Sequence, residues 1–178
     1  AIRILQTHAE PRFDPTGAFT GMVGVNVDVT DQRRAQTELK ESEARLRALA
    51  DNLQYGMVYQ IVRDANGDRR FSFVSSRCQA LNGVSAEAAM ANPALLHSQI
   101  FEDDRATFAA AEAEAEQNGT PFEAEVRMRR PSGDVRWFKM LSAPRAMPDE
   151  SVVWDGVQVD IHDVKMAEER RALLMREM

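Results

Sequence analysis

The spacing of apolar positions changes several times along the chain, and each change marks an element. GMVYQIVR (56–63) and RRFSFVS (69–75) alternate apolar and polar residues and are joined by Asp-Ala-Asn-Gly-Asp, a hairpin pattern. SRCQALNG predicts a short helical turn closed by Gly83, after which Ser85 caps AEAAMAN, a helix ending before Pro93. Asp103 or Asp104 opens a helix through RATFAAAEAEAEQ that stops at Asn118-Gly119. Ala and Glu alternate there with a strand-like period, but both favour helix and no β-branched residue follows Thr107 in the run. FEAEVRMRR (122–130), VRWFKMLSAPR (135–145) and SVVWDGVQVDI (151–161) predict three further strands, the first two joined by the turn PSGD. Strands flanking a helical middle predict the α+β class, a five-stranded antiparallel sheet with helices on one face.

Two charged helical stretches flank this pattern. In DQRRAQTELKESEARLRALADNL (31–53), Leu39, Leu46 and Leu53 lie seven apart, with Ala35, Ser42 and Leu49 at the intervening positions. That is an a/d seam of about two and a half heptads, narrow enough to suit a second copy of the chain. Folding of the same amphipathic helix onto its own sheet is the competing arrangement, and Ser42 also fits the cap of a fresh helix. The final VKMAEERRALLMREM sets Val164, Ala167, Arg171, Leu174 and Met178 on a similar stripe.

The two ends of the chain repeat one another. Arg3, Pro11, Arg12 and Pro15 match Arg136, Pro144, Arg145 and Pro148 at an offset of 133 positions. After a one-residue slip in a turn, Gly24, Val25, Val27, Asp28, Asp31 and Ala35 match Gly156, Val157, Val159, Asp160, Asp163 and Ala167. One unit thus ends twice, and the first copy lacks its front half.

Composition narrows the function classes. The 178 residues carry 22 basic and 28 acidic side chains, a net charge of −6, and 19 of the basic ones are arginine. An acidic chain makes a poor polyanion binder, and nucleic acid is not an expected partner. No apolar run is long enough to span a membrane, and no membrane contact is expected of this segment. The lone Cys78 cannot form an internal disulfide, which fits a cytoplasmic setting, and no metal site is expected. Phosphate-loop, nucleophile-elbow and zinc-protease motifs are missing, and His8, His97 and His162 lie far apart, so no catalytic residue is assigned.

Several segments, in order, resemble the PAS domain followed by its PAC motif. SEARLRALADNLQYGM is similar to the family's entry segment, and FVSSRCQALNGVSAEAA to its V-N-x-A-x-x-x-L-x-G-Y-S-x-E-E stretch, with Ser75, Arg77 and Val84 as departures. IFEDDRATF resembles H-P-x-D-R with Phe101 and Glu102 in place of His-Pro. FEAEVRMRRPSGDVRWF resembles F-x-x-E-x-R-x-R-x-x-D-G-x-x-R-W, with Ser132 in place of the turn Asp, and both DGVQVDIHDVKMAE and VGVNVDVTDQRRAQ resemble the closing G-x-x-x-D-I-T-x-x-K-x-A-E signature.

The resemblance implies a PAS fold flanked by amphipathic linker helices. Residues 1–30 would be the closing strands of a preceding, truncated PAS domain and 31–53 a coiled-coil linker. Residues 54–162 would be a complete PAS domain and 163–178 an outgoing helix. It also implies a strand-to-helix joint through which a signal leaves, formed by Asp28, Asp160, His162 and Asp163, with His162 standing where the first copy has Thr30. Photosensory relatives carry a flavin-bonding cysteine in a stretch that here reads MANPALLHSQIF, without cysteine, and His97 precedes the helix from which haem-binding relatives supply a ligand. No cofactor is therefore expected, although an unknown small ligand is compatible, with Met57, Met128 and Met140 as candidate pocket residues. The implied function is a sensory module relaying a signal through dimeric helices to an output domain in the same chain. ERRALLMREM resembles the run-in to the phosphoacceptor helix of HWE-type and related histidine kinases, with Leu173, Leu174, Glu177 and Met178 at the leading positions. A small-molecule or protein-binding PAS module, or a regulator of a diguanylate cyclase, is the alternative.

Overall fold

The computed structural model describes residues 2–176 and divides into a first unit running to Arg47 and a second beginning at Ala48. In the first unit, β1 (Leu5–Phe13) and β2 (Phe19–Asp28) form an antiparallel hairpin, and α1 (Thr30–Asp51) follows directly. Asp14 organises the hairpin loop, its Oδ1 accepting from the backbone N–H groups of Thr16 and Ala18. α1 is unbroken through Ser42, so that serine caps no fresh helix.

The second unit contains β3 (Gly56–Arg63), β4 (Arg69–Val74), α2 (Arg77–Asn82), α3 (Ala86–Ala91), α4 (Ala94–His97), α5 (Arg105–Asn118), β5 (Phe122–Arg129), β6 (Val135–Ala146), β7 (Val152–Asp160) and α6 (His162–Arg176). The five strands form the expected antiparallel sheet in the order β4-β3-β7-β6-β5. One face of the sheet packs against α2–α5, burying Tyr59, Phe138, Met140 and Trp154 with Leu81, Leu96 and Phe108. Period-2 alternation explains the choice of face: Phe138 and Met140 are buried, whereas Trp137, Lys139 and Leu141 between and beside them are only half-buried.

The helical middle follows its punctuation. Gly83 closes α2 in the left-handed region at φ 70°, with its N–H on the Gln79 carbonyl. Ser85 Oγ accepts from Ala88 N–H at the start of α3. Three expectations are corrected. Pro93 ends α3 but also starts the unexpected α4, whose first free N–H, that of Ala94, is taken by Asn92 Oδ1. Asp104 precedes α5 without capping it by its side chain, because that carboxylate is engaged across the fold. Leu53 lies beyond α1: Asn52 N–H folds back onto the Ala48 and Leu49 carbonyls, and Asp51 Oδ1 accepts from Ser76 N–H and Oγ–H. Of the residues expected in the seam, Ala35, Leu39, Ser42, Leu46 and Leu49 lie on α1, all exposed.

The stripe on α6 includes Val164, Ala167, Arg171 and Leu174, while Glu177 and Met178 lie outside the described residues. No helix among the described residues is long and apolar enough to cross a membrane.

The sequence repeat is also a structural one. Leu5 pairs with Asp28 and Pro11 with Met22, as Phe138 pairs with Asp160 and Pro144 with Trp154. The two hairpins thus share one register. Their surroundings differ: Leu5 is 55% and Met22 63% exposed, against 0% for Phe138 and 7% for Trp154.

Candidate functional site

Two arrangements in the second unit can carry function, an internal cavity and a strand-to-helix joint. The cavity, of about 60 Å³, lies between the sheet and α4–α5. Met57 on β3, Met128 on β5 and Met140 on β6 all line it, beside Phe108, Phe122 and Trp154. Met side chains with several rotatable bonds adapt to irregular space, which suits both plain packing and a changeable occupant.

Polar groups that the motifs did not single out are also present. Tyr59 lines the cavity and lies against Gly156, where any Cβ would collide with its ring. Burial pushes the Tyr59 phenol up to about 12, with Glu112 adding to the rise and Ser142 and Arg69 opposing it. The phenol is therefore neutral at physiological pH. At one end of the cavity Arg69 pairs with Glu112 at 2.9 Å, and Arg63 with Glu116 at 3.0 Å. Deeper, Gln158 Nε2 donates to Asn82 Oδ1 at 2.8 Å, both residues being almost fully buried. Alternating pattern marks Tyr59 and Gln158 as inward-facing, but nothing in the sequence pairs Gln158 with Asn82, 76 residues away.

Cys78 and His97 do not come together as a catalytic pair. Cys78 is fully buried and its thiol is pushed up by burial, opposed by Asn82. His97 is exposed and stacks edge-on against Phe108. Among the described residues no group of three or more His, Cys, Asp or Glu side chains gathers as a metal site.

The joint is built twice. Asp160, the last residue of β7, accepts from His162 N–H through Oδ1 (2.9 Å) and from Arg136 Nε through Oδ2 (2.7 Å). Asp28, the last residue of β2, accepts from Thr30 N–H through Oδ1 (3.0 Å) and from Arg3 through Oδ2 (3.3 Å). The bond from Ile161 N–H to the Trp137 carbonyl repeats that from Val29 N–H to the Ile4 carbonyl. A carboxylate at this point satisfies a free helical N–H and opposes the positive end of the helix. Asp163 stands 3.7 Å from Arg136 and is exposed. The copies differ where His162 replaces Thr30. The Thr30 hydroxyl donates to Asp28 and accepts from Ile4 N–H, whereas His162 Nδ1 is buried with no partner among the described residues. Position 3 and position 136 are both arginine, and that repeated residue was the one sequence signal for the Asp partners.

A third cluster braces α5 against the sheet. Asp104 Oδ2 accepts from the backbone N–H (2.8 Å) and Nε (3.0 Å) of Arg127, and Oδ1 from its NH2 group (2.6 Å). The Arg127 side chain holds the Asp104 carboxyl below its ordinary range, against the opposing effect of burial. A lowered carboxyl stabilises the fold above the ordinary carboxylate pKa, near 4, and that contribution fades as pH falls through the folded value. The melting temperature of Asp104→Asn is therefore expected to lie below wild type at pH 7 by several degrees, with the gap narrowing below pH 4. A gap independent of pH would show that the ion pair is not its source.

Residues 71–157, most of the second unit, match the family described as the PAS fold. The second unit is a PAS domain. PAS domains are generally sensory and non-catalytic, and the five-stranded antiparallel sheet with its helices matches the fold of solved PAS structures. The PAS domain of a protein from Colwellia psychrerythraea has a TM-score of 0.51 at 21% identity, covering 67% of this chain and 98% of that one. A sensory box histidine kinase/response regulator from Burkholderia thailandensis E264 gives 0.51 at 20% identity, covering 67% and 88%. At these identities the likeness is one of fold. Among curated proteins, the peroxide stress-activated histidine kinase mak1 of Schizosaccharomyces pombe is 30% identical over 178 residues, covering 91% of this chain and 10% of that protein. The chain thus spans about a tenth of the length of that relative.

Proposed function

We propose that this chain is a relay segment of a dimeric sensor protein, in which a PAS domain passes conformational bias from a preceding PAS domain to an output domain in the same chain, a histidine kinase. The observation carrying this reading is the joint built twice. α1 and α6 each leave a hairpin of the same register from an aspartate held by an arginine, so the chain has one such exit before the PAS domain and another after it. Asp28, Asp160, His162 and Asp163 are the joint residues in this proposal, and Arg3 and Arg136 join them. Exposure of Leu5 and Met22, where the second copy buries Phe138 and Trp154, supports reading residues 1–30 as the closing hairpin of a further PAS domain. The α1 seam from Ala35 to Leu49 is the dimer contact, and its supports are heptad spacing and exposure. The segment itself is taken as non-catalytic and cytoplasmic, in keeping with its unbridged, buried Cys78.

Asp160→Ala tests the relay. Amide exchange at residues 161–165 is expected to quicken at least about tenfold, with β3 and β7 amides unchanged, because the joint loses its cap and ion pair. In a protein carrying this segment and its kinase, autophosphorylation should shift several-fold. Faster exchange with unaltered autophosphorylation would reduce the joint to a structural role.

A small-ligand module is the second reading, and the cavity between sheet and helices favours it. Its volume of about 60 Å³ is far below the roughly 300–1,000 Å³ of drug-sized ligand pockets, which supports binding neither flavin nor haem.

A further inference from the structure

A second concavity, of about 390 Å³, lies at the β5 edge of the sheet, apart from the internal cavity except for a shared Ile100. Segment 99–101 closes this edge, with Arg129 N–H on the Gln99 carbonyl (2.7 Å) and Phe101 N–H on the Arg127 carbonyl (2.8 Å). Leu95 and Pro131 give the groove an apolar wall, and Arg105, Arg129 and Arg130 stand against a single lining carboxylate, Glu102. This is a cationic groove on a chain of net charge −6.

The arginines differ in what they hold. Arg127 and Arg129 both stack on Phe101, with Cζ 4.6 and 5.2 Å from the ring centroid. Arg127 is outside the groove and its in-plane donors are taken by Asp104. Arg130 pairs with Asp134. Arg129 is exposed and, among the described residues, forms no ion pair. A guanidinium stacked on an aromatic face keeps its edge free for a planar carboxylate, so Arg129 presents the arrangement that Asp104 fills at Arg127. Arg105 also lacks a carboxylate partner among the described residues, its Nε being used on the Ile100 carbonyl and one of its NH2 groups on the Ser98 carbonyl. Beneath them Gln99, 7% exposed, donates Nε2 to the Asn82 carbonyl, and its Oε1 has no partner among the described residues.

We propose that this groove docks a short acidic segment of a partner protein. Its carboxylate pairs with the edge of Arg129, flanked by Arg105, and an aliphatic side chain packs on Leu95 and Pro131. A peptide also supplies N–H donors, which a bare polyanion lacks. Charge complementarity commits the groove to an acidic occupant, and the apolar wall to one with aliphatic side chains.

The probe is a fluorescein-labelled Leu-Asp-Leu-Glu-Leu peptide, followed by anisotropy, with Leu-Asn-Leu-Gln-Leu as its neutral control. Binding should weaken with added salt, and the neutral peptide should bind at least about tenfold more weakly. Arg129→Gln should weaken binding by about tenfold, while Arg130→Gln, whose charge is already paired, should change it less than about twofold. Circular dichroism checks that both variants stay folded, and amide shifts on titration should fall at Leu95, Gln99 and Arg129. Equal binding of the neutral peptide, an unaffected Arg129→Gln variant or no binding at millimolar peptide would overturn the proposal. So would displacement by inorganic phosphate as effective as by unlabelled peptide, since the site would then take a simple anion.

Discussion

Leu46→Glu is expected to turn the proposed dimer into a folded monomer. Leu46 is 64% exposed on α1, at the second a position of a seam whose other members are Ala35, Leu39, Ser42 and Leu49. In a parallel two-fold pairing each a position meets its own copy, so the substitution sets two carboxylates against one another inside the seam. The small Ala35 and Ser42 allow close approach, but under three heptads of seam make a weak contact by themselves, and dimerisation should be weak to moderate. Light scattering across a concentration series should show wild type shifting to twice the monomer mass and the variant staying at monomer mass. Circular dichroism should be unchanged outside the helix signal. A wild type monomeric at high concentration, or a dimeric Leu46→Glu, would remove the seam from the account. The loss of Leu53 from the helix shortens the seam by one a position, so Leu39→Glu should match Leu46→Glu more nearly than Leu53→Glu does.

Asn82→Ala is expected to cost about 3 kcal/mol of folding stability, combining an unpaired buried amide with a small void. Asn82 is fully buried, and three elements depend on it. Its Oδ1 accepts from Gln158 on β7, its carbonyl from Gln99 before α5, and its Nδ2 contacts the sulfur of Met57 on β3. Alanine removes the Gln158 contact and leaves that amide without a partner in the core. For a domain of this size the melting temperature should fall by about 10 °C. Adding Gln158→Leu should recover part of the loss, because removing both partners of a buried pair costs less than removing one. A single-variant loss under about 1 kcal/mol would show that water reaches the Gln158 amide.

How far the site could be read in advance depended on the range of the interaction. Ser85 at the start of α3 and Gly83 at the end of α2 act within four residues, and both were legible as caps. The repeat of Asp28 and Asp160 was legible because the same residues recur, and the capping bond lies two residues away. His162 was legible as a departure from Thr30, but the burial of its Nδ1, without a partner among the described residues, was not, since burial is decided by tertiary packing. Asp104 stands at the start of α5, as one of the two expected openers, but its carboxylate, which at such a position ordinarily caps the helix, bonds to none of the helix's N–H groups. Arg127, 23 residues on, competes for it with three donors and wins.

The sequence by itself determined the strands, the principal helices, the antiparallel class and the family. Period-2 runs and local caps act through nearest neighbours and survive without knowledge of the partner chain segment. Tertiary structure decided which polar side chains meet: Asn82 with Gln158, Arg69 with Glu112, Asp104 with Arg127. It also ended α1 at Asp51, where that carboxylate turns to Ser76, 25 residues away, and left Leu53 off the helix. Such pairings depend on how the sheet order β4-β3-β7-β6-β5 brings distant segments together, and a buried polar group takes whichever partner the packing delivers.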